Sequence, residues 1–251
     1  MKLLPKKIVP DRIKDAIVQV FFINELPFEL LIGYFHRLLS DINYNYISRS
    51  NAIRENIANK EIANNHEINI SLTHLFVNEK HKIKLQIHPN KSISFNTLDN
   101  YIGWDSYSSY IEEVLKLLFE HKMIKAVTRT GIRYISEFQN IDILDKVKFS
   151  YDSTFIDSAL KSSQSNLRWT EDKMDISLNI ASRILTPGLI DEKKQSIDFI
   201  SLIDVDVIKK NFNLSNIDEI INVINKCHEK QKFTFFSLLK DEFLNELNPE
   251  Y

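Results

Sequence analysis

Three sets of residues in this chain have the types and spacing to do chemistry. The first is acidic. In SIDFISLIDVDVI, Asp204 and Asp206 stand two apart, with Asp198 further back. On an extended strand, residues two apart share a face. Three such acids could hold Mg²⁺ for phosphoryl chemistry, with His74 as a further ligand, which is the pattern of a metal-dependent nuclease. The plainer reading, and the favoured one, is the solvated face of an amphipathic strand. The second set lies in KAVTRTGIRYISEF, Lys125 to Phe138. Arg129 and Arg133 fall on one face and flank the bare backbone of Gly131, with Tyr134 next in line. The planar arginine fork suits bidentate contact with an anion or a carboxylate, and these four residues form the candidate binding site. The structural alternative makes Gly131 a bulge or a place of close packing and pairs the arginines with acids such as Glu112 or Asp105. The third set is His74, His81 and His88, seven apart. The segment reads as strands, so only His74 and His81, flanking a turn, would approach each other.

Other chemistries are missing from the sequence. There is no GxxxxGK[ST] or GxGxxG phosphate loop, and 4 glycines in 251 residues cannot build one. GxSxG and HExxH are also absent. The single cysteine, Cys227, has His228 beside it. Neighbours on a helix point about 100° apart, so the two do not form a nucleophile–base pair. These gaps favour a non-enzymatic protein with no cofactor.

The elements that would position these residues read clearly from periodicity. Ile13–Ile23 alternates as a strand and stops before Pro27. Phe28–Asp41 has helical spacing of Leu30, Leu31, Tyr34, Phe35, Leu38 and Leu39. Strands are expected at 44–48, 67–77, 81–88 and 92–96, with short turns that favour antiparallel pairing. Trp104–His121 is a second helix, capped by Asp105 or Ser106. The strand over 123–138 follows it. After a short helix at 152–160, the run KSSQSN over 161–166 reads as a linker. Strands at 173–184 and 196–208 then flank the turn Thr186-Pro187-Gly188. A helix over 217–247, with a bend at 228–231, ends the chain. Its Phe235, Phe236, Leu239 and Phe243 exceed what one buried face needs and form a candidate partner or dimer interface.

The expected fold is α+β, an antiparallel or mixed sheet covered by long helices. Strands followed by a helix occur in the first and the last part, which leaves room for two similar halves. The expected organisation is a β-α-βββ-α-β unit over 1–141, a connector over 142–166, and a hairpin plus long helix over 167–251 packed with the first unit. A hydrophobic fraction of 43% supports a core, and a net charge of −2 gives none of the basic excess usual in nucleic-acid binders. A nucleic-acid binder using Arg129 and Arg133 remains a further alternative. One cysteine, no secretory signal and no long uncharged apolar run point to a cytoplasmic protein without a membrane span.

Two motifs and the last helix carry a resemblance. PDRIKDAIVQVFFI has the form A-[IVL]-x-[EQ]-V-x-F, GIRYIS follows a long helix, and NKCHEKQKFTFFSLLKDEFLNELNPE closes the chain. Together they resemble a sporadically distributed family of uncharacterised bacterial proteins of about 250 residues. Gln19 stands where that family usually has glutamate, and Cys227 where leucine is common. The patchy distribution implies an accessory gene, such as phage defence or a toxin–antitoxin locus. The expected role is therefore a binding or regulatory protein with a protein partner, or a homo-oligomer.

Overall fold

The computed structural model describes residues 4–54, 69–149, 162–185 and 199–251. The expected helix at 152–160, the turn at Thr186-Pro187-Gly188, Asp198 and most of the polar stretch 51–65 lie outside the described residues.

A large antiparallel sheet dominates a mixed α/β fold. In chain order the elements are β1 (Lys7–Ile8), β2 (Ile13–Ile23), α1 (Phe28–Asp41), β3 (Asn45–Arg54), β4 (Asn69–Asn78), β5 (Ile83–His88), β6 (Ser92–Thr97), α2 (Trp104–Glu120), β7 (Ala126–Gln139), β8 (Ser163–Glu171), β9 (Met174–Leu185), β10 (Phe199–Leu214), α3 (Ile217–Leu238), α4 (Asp241–Glu246) and β11 (Pro249–Glu250). Nine strands pair in the order β3-β4-β5-β6-β2-β7-β10-β9-β8, and every pairing is antiparallel. The sheet is open, with β3 and β8 at its edges. β1 and β11 form a separate two-stranded ladder that ties the two ends of the described chain together.

Alternation in the sequence becomes two chemically different faces. Ala16, Val18, Val20 and Phe22 of β2 are buried, as are Ile83, Leu85 and Ile87 of β5. Register aligns Val18 with Phe95 of β6 and with Ile132 of β7, and Ile132 with Val207 of β10. One apolar face thus runs across the centre of the sheet. α3 packs against β7 and β10, and α2 against α3. The Tyr107 hydroxyl of α2 reaches the sheet backbone, 2.7 Å from the Phe95 carbonyl and 3.0 Å from that of Ala16.

Four expectations change. The segment 161–166 is no linker: its residues from Ser163 onward open edge strand β8. The cap of α2 is Gly103, at φ +84°, and no side chain caps it. α3 runs unbroken through 228–231 and stops at Leu239 instead. There the backbone leaves the helix to pair with residues 146–148: Lys148 N–H donates to Leu238 O at 2.8 Å and Lys240 N–H to Lys146 O at 3.0 Å. Finally, Gly131 makes no bulge, because the registers of β7 with β2 and with β10 are continuous through it. A Cβ there would first meet Ile208 Cγ1 at 3.4 Å, an ordinary contact, and no helix aromatic among its three nearest neighbours.

Candidate functional site

The two charged sets of the sequence meet each other. β7 and β10 are neighbours, with Asp206 opposite Arg133, Ile208 opposite Gly131 and Lys210 opposite Arg129. Arg133 reaches diagonally to Asp204 and grips it with two hydrogen bonds, Nε to Oδ1 at 2.9 Å and Nη2 to Oδ2 at 2.8 Å. Asn179 Nδ2 donates to Oδ2 at 3.2 Å. Arg133 is thus paired within its own fold, with Asp204 rather than with Glu112 or Asp105. Asp206 has a carboxyl pushed up to about 6, by burial first and by the Asp204 charge, against the pull of Arg133 and Arg129. Arg129 lies 4.6 Å over the Phe21 ring, and its Nε is buried without an acceptor. Tyr134 points to the other face, where its hydroxyl sits 2.9 Å from that of Tyr101. The four residues of the signature strand are therefore not one site.

Among the described residues, His74 is not with the other proposed metal ligands, Asp204 and Asp206. His74 is on β4, beside Tyr46 and Phe28. Four strands separate β4 from β10, which is roughly 24 Å at the ~4.8 Å spacing of a sheet. His81 packs on Tyr110 with ring centroids 4.1 Å apart and planes tilted by 47°, and His88 lies 3.2 Å from Thr73 Oγ1. Among the described residues no three His, Cys, Asp or Glu side chains are arranged to hold a metal ion. Phe235, Phe236, Leu239 and Phe243 are all buried. They belong to the core, where Phe243 packs on Phe138 at 5.7 Å, and do not form an exposed interface. No helix among the described residues is long and apolar enough to cross a membrane.

A roomy concavity lies elsewhere. A cleft of about 730 Å³ opens between the N-terminal segment, the loop before α2, β7 and α3. That is the size of a small-molecule site. Its most unusual feature is His228, stacked flat on Trp104 with ring centroids 3.9 Å apart and planes 3° from parallel. His228 is only 7% exposed and its Nδ1 has no hydrogen-bond partner. The Glu229 carboxylate is 3.5 Å away, outside hydrogen-bond geometry. Burial holds the imidazole neutral, with its pKa down at about 3, and Lys232 pushes the same way.

The remaining walls combine apolar and polar groups. Trp104 is fixed by a bond from its indole N–H to Asn225 Oδ1 at 3.2 Å. The Tyr101–Tyr134 pair shares one hydroxyl proton, which leaves the other available as a donor. Arg12 lines the cleft, and its Nε is buried without an acceptor. Neighbouring Asp11 has its carboxyl raised, chiefly by burial. Sequence reasoning missed Trp104, His228, Tyr101 and Arg12 as a group because they come from three separate segments, around residues 12, 101–104 and 228. One local signal was present: Gly103, one of four glycines, immediately before a tryptophan.

No protein-family model and no curated relative matches the chain. The reading of the cleft therefore rests on its own geometry.

Proposed function

We propose that this chain is a non-enzymatic binding protein whose ligand enters the cleft beside Trp104 and His228. The observation that carries this is His228 itself, a buried histidine that lines a roomy cavity, held flat against an indole and with a buried ring nitrogen left unbonded. Burying such a nitrogen unpaired costs about 1–3 kcal/mol, which a ligand's polar group would relieve. Binding suits the groups better than catalysis does. A general base works best with a pKa near the working pH, and His228 at about 3 is far below it. The Cys227 thiol, pushed up by burial to about 12, is a poor nucleophile.

On this reading α1, α2 and α3 form a layer over the apolar face of the sheet, and the cleft is the gap between that layer and the chain's N-terminal segment. The resemblance to bacterial accessory proteins supports a wider role as the cytoplasmic, regulatory partner subunit of a phage-defence or toxin–antitoxin system, with the cleft sensing a small molecule.

The test uses a reporter inside the site. Trp104 and Trp169 are the two tryptophans, so Trp169→Phe leaves Trp104 as sole emitter. A panel of several hundred metabolites of mixed charge is screened by melting temperature and by Trp104 emission. Ligands that change both are expected. A panel without any such ligand refutes the cleft reading, and turnover of a ligand by the wild-type protein refutes the non-enzymatic part.

A further inference from the structure

The unpaired groups of the cleft say what kind of ligand it takes. Arg12 Nε and the spare tyrosine proton are donors that lack acceptors within the fold. The first turn of α2, Gly103 to Asp105, also lines the cleft. Its backbone N–H groups have no side-chain cap, because the N-cap residue is glycine. A helix N-terminus carries partial positive charge and presents free donors. It is the neighbouring His228, more than nine-tenths buried and with Nδ1 unbonded, that independently marks this end of α2 as facing a ligand.

The apolar half of the cleft is equally definite. Ile102, Phe235, Phe236 and the Trp104 ring share it with these donors. Such a surface takes a hydrocarbon or aromatic body, worth about 25 cal/mol for each Å² removed from water.

Charge decides between anions. Lys6, Lys7, Arg12 and Lys232 line the cleft, and so do Asp11, Asp105, Glu229 and Glu250. Four positive and four negative side chains balance, and Lys7 is already paired with Glu250 at 3.1 Å. A phosphate dianion would carry two negative charges into a cleft that Asp11 and Asp105 also line. A single negative charge halves that repulsion and still answers the donors of Arg12 and the start of α2. We propose, building on the cleft reading above, that the ligand is a small monocarboxylic acid with an apolar or aromatic body, its carboxylate held by Arg12 and the N-terminus of α2 and its body lying against the Trp104 side of the cleft.

The experiment titrates the Trp169→Phe protein with phenylacetate and 3-phenylpropanoate, their primary amides, and phenyl phosphate. Trp104 emission is the readout. Saturable quenching by the acids is expected, with the amides at least tenfold weaker. Arg12→Gln and His228→Phe should each weaken the acids at least tenfold, with the amides changed less by Arg12→Gln. The melting temperature of each variant confirms that it is folded. Amides that bind as tightly as acids, or phenyl phosphate binding tenfold tighter than the acids, would overturn the carboxylate assignment and leave the cleft a ligand site. Silence from all five probes would also overturn it. The cleft reading itself falls only if the mixed-charge panel is silent as well.

Discussion

Arg133→Leu is the substitution that best tests whether the signature strand serves its own fold. Asp204 has a side chain 10% exposed, and it accepts two charge-assisted bonds from Arg133, whose side chain is 46% exposed. Breaking a fully buried pair costs roughly 3–5 kcal/mol, because one charge is left without its partner. Here water already reaches the arginine and would reach Asp204 once the arginine is gone. Asn179 also keeps its bond. Halving the buried figure gives about 2 kcal/mol. A gross attraction of about 4 kcal/mol for charges 4 Å apart near a protein surface is consistent with that net value. For a chain of this size, about 2 kcal/mol lowers the melting temperature by about 4–8 °C. Arg133→Lys should lose much of the same amount, since an ammonium cannot make both bonds in one plane. Urea unfolding at pH 7.5 would measure Arg133→Leu, Asp204→Leu and the double variant. The double variant should be no worse than Arg133→Leu alone, with a coupling of about 1–2 kcal/mol. A cost below about 0.5 kcal/mol for Arg133→Leu, with coupling near zero, would refute the reasoning and return Arg133 to the pool of groups available for a ligand.

Three further outcomes follow from the same geometry. The Asp206 carboxyl is raised from 3.8 to about 6, so the folded state holds the proton more tightly, and stability is lost as pH rises from 3.8 to about 6, with the full loss present above 6. Asp206→Asn should therefore stabilise the protein by up to about 2 kcal/mol at pH 8 and by nothing at pH 3.5, judged against wild type at each pH by thermal melts. His228 behaves with the opposite sign. Its folded pKa of about 3 lies below the unfolded 6.5, so the unfolded chain binds the extra proton and stability falls as pH drops from 6.5 towards 3, by about 1.4 kcal/mol per unit. The His228→Phe variant should lack that fall between pH 6.5 and 5, and an unchanged slope would show that the imidazole is not held neutral. Phe243→Ala should cost about 3–5 kcal/mol in urea unfolding, whereas Phe233→Ala, on the exposed side of the same region, should stay within about 1 kcal/mol. A Phe243→Ala cost as small as that expected for Phe233→Ala would mean that Phe243 is surface after all.

The sequence was most legible where one local pattern decides a whole element. The alternation of Ile83, Leu85 and Ile87 against Lys84, Gln86 and His88 places β5, and Pro27 marks the residue after which α1 begins. Legibility failed where tertiary structure overrides local preference. KSSQSN has the composition of a linker, yet it opens an edge strand. Edge strands need no buried apolar set, and β8 is largely exposed along its length. The apolar pattern after Ser237 continues as a helix would, but pairing with residues 146–148 draws Leu239 and Lys240 into extended backbone. No periodicity after Ser237 encodes a pairing that spans about ninety residues.

The charged residues show the same limit from the other side. Asp204, Asp206, Arg129 and Arg133 were each placed on the correct kind of element, and each pair on one face. Whether they formed a site or neutralised one another depended on which strand lies beside β7, and that is a long-range fact. Once β10 is its neighbour, Arg133 commits two of its donors and its charge to Asp204, and the polar face loses the strongest of its free groups. The cleft gains its character by the opposite route. Arg12, Tyr101, Trp104 and His228 are unremarkable in sequence, and the fold leaves donors among them unanswered. Where charged groups answer one another the fold is being held, and where buried donors go unanswered beside an open cavity the fold is prepared for a ligand. By that criterion the signature strand GIRYIS supports the sheet through Arg133, and reaches the cleft through Tyr134, which supplies half of the hydroxyl pair at its wall.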